Sequence, residues 1–399
     1  MDARLNDFSS IEGGFQESSF IVGSNGFQNS LEVIEEFVGK VFKRIAVAFA
    51  SLFSVFRDLL SFPGVKAIAP NFFLLPIEEQ REAHEQAKKY LKDRLPDADI
   101  CFVRSSIRPI DPGSSNALSL KINLAARPLS PKVFSWERTF GVQGDIQRDG
   151  KRFEDNIIIY GTASQFNSSE SIGPFTPKPG AAVAAYKKDP TQGPAAQLQF
   201  SYNQVEEINK AANIGYNALC NVFDEETKTA VQHGYLTPLK GQAGKVLEQL
   251  KSKGHLMELL CIGSKPRNRD KIVYQILTSA PVYKYYFDEA VHDERNREKI
   301  QFTAAYHAYR AQFSQAIALA KRDGKPVILK PAALGLGAFG NDCLAVSKAF
   351  YKAAKELEDE LEKNNVGVRL QVFEGANKVN EAMGMAKYLK LKQKPNFHG

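Results

Sequence analysis

Apolar residues recur at positions 34, 37, 38, 41, 42, 45, 49, 52, 53, 56, 59 and 60. This is helical spacing with one broad apolar stripe. Asn29-Ser30-Leu31-Glu32 offers a capping-box start, and Ser61-Phe62-Pro63-Gly64 a stop. The stripe predicts a helix packed on the main domain or, as the alternative, one lying on a membrane surface. A second amphipathic helix is predicted from Pro76 to Leu95, with Pro at its first turn and Pro96 after its end. The period then changes. Residues 100–107, 117–126, 132–140 and 156–161 read as strands. Residues 165–200, dense in Pro, Gly and Ser, read as loop. Helical patterns at 203–223, 241–253, 289–321 and 343–364 alternate with strand patterns at 255–263, 271–280, 327–332 and 367–375. Such alternation predicts an α/β fold with a mostly parallel sheet covered on both faces. The division expected is a flexible arm (1–28), a helical addition (29–95), an α/β domain (96–376) and a basic C-terminal tail (377–399).

Composition changes this picture little. The 399 residues are 43% hydrophobic and 24% charged, with a net charge of +7. That mild excess favours an anionic ligand. No Lys/Arg stripe with interleaved aromatics points to nucleic acid. The most apolar run, Ile45–Phe56, has twelve residues, too few to span a bilayer. The first fourteen residues lack the basic and apolar regions of a secretory signal. Four cysteines (Cys101, Cys220, Cys261 and Cys343) with no C-x-x-C, and six scattered histidines, point to a reducing compartment and no metal site. A cytoplasmic monomer is expected, with export by a route that reads no cleavable signal as the alternative.

The chemistry concentrates in Pro331-Ala-Ala-Leu-Gly-Leu-Gly-Ala-Phe-Gly-Asn-Asp342, between a strand and a helix pattern. Gly335, Gly337 and Gly340 fit G-x-G-x-x-G, whose backbone amides, with the following helix N-terminus, face an anion. A nicotinamide-type dinucleotide fold fits poorly. The acid at the end of the next strand, Glu374, comes 34 residues after Gly340 instead of about 20. Too little chain follows for the remaining βαβ units. A P-loop needs Gly-Lys-Ser/Thr where this loop has Gly-Asn-Asp. A diphosphate cradle and a merely connecting glycine turn remain as readings. Asp342 is expected to cap the following helix rather than act as a base.

The stretch Leu334-Gly-Leu-Gly-Ala-Phe-Gly-Asn-Asp342 resembles the second phosphate loop of macrodomains, the ADP-ribose-binding modules. It is most similar to the microbial poly(ADP-ribose) glycohydrolase type. Ile276-Leu-Thr-Ser-Ala-Pro281 resembles that type's strand-ending turn, and Gly144-Asp145-Ile146 before the 156–164 stretch resembles its Gly-Asp-Ile pattern. Pro179-Gly-Ala-Ala-Val-Ala-Ala185 stands where the family has a triple-glycine loop. The resemblance covers about 132–375 and implies a macrodomain-like three-layer sandwich with ADP-ribose as ligand and no other cofactor. It implies that Asp145 accepts the adenine amino group beside the Ile146 amide. Thr162 and Ser164 line the site, and Gly180 and Ala181 lie near a ribose. Gly335, Gly337, Ala338, Gly340 and Asn341 cradle the diphosphate, and Phe339 orders the terminal ribose.

The chain also departs from that family. Where the glycohydrolases carry Gln-Glu-Glu, it reads Ala195-Ala-Gln-Leu-Gln199, and the 179–185 loop has one glycine for three. A replacement acid source follows the Ala280-Pro281 turn: Asp288, Glu289 and Asp293. Carboxylates there would activate water or ribose hydroxyls against an oxocarbenium-like centre. Asp288 and Asp293 are the catalytic candidates. Flanking Arg295, Arg297 and Lys299 also fit a solvated helix with ion pairs. Replaced carboxylates and a helical addition are similar to macrodomains secreted by Legionella that remove ADP-ribose from ubiquitin. This implies an ADP-ribosyl-protein hydrolase with an ADP-ribosylated protein as partner, ubiquitin being the candidate. A reader that binds ADP-ribose without turnover is the alternative.

Overall fold

The computed structural model describes residues 75–105, 122–124, 127–139, 149, 151–169, 202–232, 234–238, 241–265, 270–282, 294–337, 339–373 and 379–394. All lie within the unit Ala69–Gly399. The amphipathic stripe at 34–60 and the strand pattern before 122 fall outside the described residues, and 122–124 are not in a strand.

Eight strands form one sheet. They are β1 (Asp99–Val103), β2 (Phe134–Thr139), β3 (Ile157–Ala163), β6 (Leu259–Ser264), β7 (Val273–Thr278), β8 (Val327–Lys330), β9 (Val366–Phe373) and β10 (Lys392–Gln393). Their order is β1-β6-β7-β3-β8-β9-β2-β10. A separate hairpin pairs β4 (Val231–Gln232) with β5 (Tyr235–Leu236). The β1–β6 and β6–β7 pairs are antiparallel, and every pair from β7 to β10 is parallel. The fold is therefore α/β with a mixed, mostly parallel sheet.

Alternation along the strands divides the sheet into two buried faces. Leu260, Ile262 and Leu277 turn one way, against Ala87, Leu91 and Leu95 of α1 (Ile77–Arg94) and its end and Ile208 and Ala211 of α2 (Tyr202–Ile214). Leu259, Cys261, Ile276, Ile159 and Leu329 turn the other way. There they meet α3 (Ala243–Lys253), α4 (Glu294–Asp323), α5 (Cys343–Lys363) and α6 (Val379–Tyr388). An aromatic knot centres this second layer. The Phe350 ring stands edge-on to Tyr309 at 5.0 Å and to Phe313 at 5.3 Å. Helices thus cover both faces, which is why the strands read as continuous apolar runs.

Two boundaries differ from the sequence expectation. Helix α1 belongs to the sheet unit, because its apolar stripe closes over β6 and β7. The segment expected as a basic tail holds α6 and β10. Met385, Ala386 and Leu389 are buried in the core while Lys387, Lys390 and Lys392 stay exposed. Lysines dominate the local composition, yet three apolar side chains at helical spacing suffice to dock it.

The strand β3 has β7 on one side and β8 on the other. The chain leaves β7, crosses β3 through α4 and enters β8. The carboxyl ends of β7, β3 and β8 share one edge, beyond which ligands of open α/β sheets bind. No helix among the described residues is long and apolar enough to cross a membrane.

Candidate functional site

Three segments emerge at this edge: 164–169 after β3, 279–282 after β7 and 331–341 after β8. The first is held by hydrogen bonds almost throughout. The Ser164 amide donates to the Thr278 carbonyl at 2.7 Å, and the Phe166 amide to that of Gly234 at 2.7 Å. The Gln165 side chain donates to the Tyr235 hydroxyl at 2.8 Å and accepts from Ser169 Oγ at 2.9 Å. Asn167 Oδ1 accepts from the Ser169 amide at 3.1 Å.

Hydrogen bonds to the rest of the fold hold the two ends of the 331–341 loop, and the buried Leu336 side chain packs its middle into the core. The Gln371 amide donates to the Pro331 carbonyl at 3.1 Å. The Tyr309 hydroxyl donates to the Ala332 carbonyl and accepts from the Leu334 amide, both at 3.0 Å. At the far end the Asp342 carboxylate accepts the Ala345 amide at 2.6 Å, making it the cap of α5. Between the anchors, the Asn341 amide reaches back to the Gly335 carbonyl at 3.0 Å, closing the loop on itself.

Two glycines in this loop do different work. Gly335 has φ of +70°, and a Cβ there would stand 2.1 Å from Asn341 Nδ2 and 2.7 Å from the Ala280 Cβ. It lets the loop turn and press against the segment after β7. A Cβ on Gly337 would meet nothing within 4 Å. Its carbonyl accepts the Gly340 amide at 3.2 Å, and no described residue accepts its N–H. Gly340, with φ of +64°, completes the turn. Phe339 rests edge-on against Tyr235 at 5.9 Å, so the loop leans on a ring that Gln165 holds.

Polar atoms stay unspent around that contact. Asn341 is 7% exposed, yet neither end of its carboxamide has a hydrogen-bond partner among the described residues. The Ser279 hydroxyl, 4% exposed, is likewise unpartnered. Buried polar groups are ordinarily paired, so these orphans make the place a candidate site.

Of the residues singled out from sequence, the structure brings Gly335, Gly337, Phe339, Gly340 and Asn341 together, with Ser164 on the neighbouring segment. Thr162 and Ser164 are spent within the protein. The buried Thr162 hydroxyl donates to Gln275 at 3.3 Å, and that of Ser164 donates to the Gln165 carbonyl at 3.0 Å. Asp145, Ile146, Gly180, Ala181, Asp288, Asp293 and Ala338 lie outside the described residues. Sequence reasoning missed Tyr235 and Ser279. Ser279 stood inside the quoted turn, whereas nothing local announced Tyr235.

Charged clusters flank the edge. Lys330, the last residue of β8, is wholly buried and ion-paired to Glu137 of β2 and to Asp149. The Tyr160 hydroxyl donates to Asp149, and Arg369 reaches Glu137 at 3.4 Å. The group ties β2, β3, β8 and β9 together beneath the loop. At the start of β6, burial alone would raise the Glu258 carboxyl. The hydrogen bond from His84 and the charges of Lys88 and Arg104 outweigh it and hold the group at about 2. His84, Glu85 and Glu258 have metal-like proximity. However, His84 Nδ1 accepts the Asn217 amide at 3.2 Å and Nε2 faces Glu258 at 3.0 Å, so both ring nitrogens are used. His307, fully enclosed, is pushed down to about 3 by burial.

No family model matches the chain, and no curated protein matches it. Among solved structures, poly(ADP-ribose) glycohydrolase from Deinococcus radiodurans in complex with ADP-ribose is 14% identical. The match covers 75% of this chain and 97% of that one, with a TM-score of 0.37. The enzyme of the same name from Thermomonospora curvata is 15% identical over 78% of this chain and 97% of that one, also at 0.37. The same enzyme bound to the inhibitor ADP-HPD gives 14%, the same coverage and the same score. At such scores these likenesses carry no argument about the site.

Proposed function

We propose that this chain is an ADP-ribosyl hydrolase that removes ADP-ribose from a modified protein. The observation that carries the reading is the 335–341 loop. It stands at the carboxyl edge of β8, next to β3, with an unspent amide at an open glycine and an aromatic ring beside it. Backbone amides at the entrance of a capped helix suit a diphosphate. Gly335, Gly337, Ala338, Gly340 and Asn341 would hold it, and Phe339 would order the terminal ribose. Asp145, Ile146, Gly180 and Ala181 would complete the adenine and ribose contacts, with Thr162 and Ser164 shaping the floor.

Asp288 and Asp293, just ahead of α4, would supply the carboxylates that the stretch 195–199 lacks. Ubiquitin is the first modified protein to try. The missing Gln-Glu-Glu favours a second reading, a module that binds ADP-ribose without cutting.

Calorimetric titration with ADP-ribose, ADP and NAD tests binding. Micromolar affinity for ADP-ribose, tighter than for either comparator, is expected, and no binding to ADP-ribose removes both readings. Release of ADP-ribose from ADP-ribosylated ubiquitin then separates them. Asp288→Ala and Asp293→Ala should stop release while binding persists. Full activity in both variants would overturn their assignment.

A further inference from the structure

Cys101 and Cys261 are 160 residues apart in sequence but directly opposite in the antiparallel β1–β6 pair. Opposed residues of such a pair have Cα atoms about 4.5 or 5.5 Å apart. Both spacings lie inside the window a disulfide accepts, about 4.4–6.8 Å. Register also turns both side chains to the same face of the sheet, where both join the core packed on α4. The two thiols are close enough to perturb each other's ionisation, and both are free.

The surroundings of the two sulfurs differ. Cys101 is half-buried, and Gln315 Nε2 of α4 donates to its Sγ at 3.1 Å. Arg322, one helical stretch further along α4, adds positive charge nearby, with Asp99 opposing it. Cys261 is wholly buried. The remaining cysteines have no opposed partner among the described residues.

From this geometry we infer that Cys101 and Cys261 form a peroxide-oxidisable dithiol, with Cys101 as the attacking thiol and Cys261 as the resolving one. The Cys101 thiolate attacks one oxygen of hydrogen peroxide. The O–O bond breaks, giving a sulfenic acid and hydroxide. Cys261 sulfur then attacks the Cys101 sulfur and loses its proton, the S–O bond breaks, and water leaves. In sum, two thiols and one peroxide give one disulfide and two waters, the thiols losing two electrons and the peroxide gaining them. The neighbouring Cys261 thiol lowers the Cys101 pKa, consistent with the attacking role. Cys261 is raised by that same interaction and by burial. Burial pushes Cys220 up to about 12 and also raises Cys343, so both are poor competitors.

The test treats the folded, reduced protein with hydrogen peroxide, denatures it, alkylates the remaining thiols and maps peptides without reductant. The expected result is a linked pair of peptides carrying Cys101 and Cys261, at a rate about tenfold above oxidation of Cys220 or Cys343. Dithiothreitol should reverse it. In Cys261→Ser the sulfenic acid should persist on Cys101 and be trapped by dimedone. The inference is overturned if both thiols are fully alkylated when another cysteine has oxidised. It is equally overturned if Cys101 links to a cysteine other than Cys261. The wild-type mapping does not depend on any variant folding.

Discussion

Two segments leave the same edge of the sheet, and they spend their polar groups in opposite ways. In 164–169 the Ser164, Gln165, Asn167 and Ser169 side chains all have partners, and backbone amides pair with Thr278 and Gly234. In 331–341 the amide of Gly337 and the carboxamide of Asn341 have none among the described residues. Composition separates them too, five of the six side chains of 164–169 being polar against Asn341 alone in 331–341, but it does not say which polar groups are paired. Bookkeeping of hydrogen bonds does. A satisfied segment reads as scaffold, and the one beside it, with polar groups unpaired among the described residues, is the candidate for ligand contact.

The comparison can be broken most forcefully beneath the loop. Lys330→Met would leave Glu137 and Asp149 without their buried cation. A loss of about 3–5 kcal/mol in unfolding free energy is expected, read by urea denaturation. A change under 1 kcal/mol would mean the cluster does not carry the strand that feeds the loop.

Acid should act almost as strongly on the flanking clusters and leave the loop itself untouched. His307 holds its pKa near 3 where an exposed histidine titrates near 6.5. As pH falls below 6.5 the unfolded chain takes a proton that the folded chain refuses, so stability declines towards pH 3. Glu258, at about 2 against an ordinary 4.5, works in the same direction. Its contribution is complete above pH 4.5 and disappears as pH falls towards 2. At roughly 1.4 kcal/mol per pKa unit, Glu258 accounts for about 3 kcal/mol at most. Denaturation midpoints at several pH values should show a slope from 6.5 downwards, and His307→Gln should flatten its upper part.

The glycine pair sharpens the comparison within one loop. Gly335→Ala forces a Cβ into Asn341 and Ala280 at positive φ, and should cost about 2–3 kcal/mol of stability. A Cβ at Gly337 meets nothing within 4 Å, so in Gly337→Glu thermal unfolding should stay within experimental scatter while ADP-ribose binding disappears through bulk and charge. If Gly337→Glu binds as tightly as the wild type, the loop is not the site. The smallest effect belongs to the scaffold segment. Asn167→Ala removes the acceptor of the Ser169 amide and should cost about 1 kcal/mol without changing ligand selectivity.

Local features were legible in advance. The strands at 156–161 and 327–332, the helix at 343–364 and the capping role of Asp342 each rest on a few neighbouring residues, and the structure places them within a few positions. The three glycines were legible because their spacing is itself a short-range signal. Distant pairings were not. Nothing near Lys330 announces Glu137 or Asp149, and an isolated lysine ending an apolar run reads as a strand reaching solvent. Tyr235 became a neighbour of Phe339 only because a two-strand hairpin folds back beside the edge. The four cysteines read as unrelated, and the β1–β6 register made two of them partners.

The sequence by itself determined the periods, the caps and the glycines, because backbone conformation and the burial of one stripe or one face are settled over a few residues. Tertiary structure alone decided which charges could be buried together, which thiols face each other and which loop leaves a carboxamide and the Gly337 amide unpaired among the described residues. Those depend on strand order and register across the sheet, set by the summed burial of two core layers rather than by any one stretch of chain.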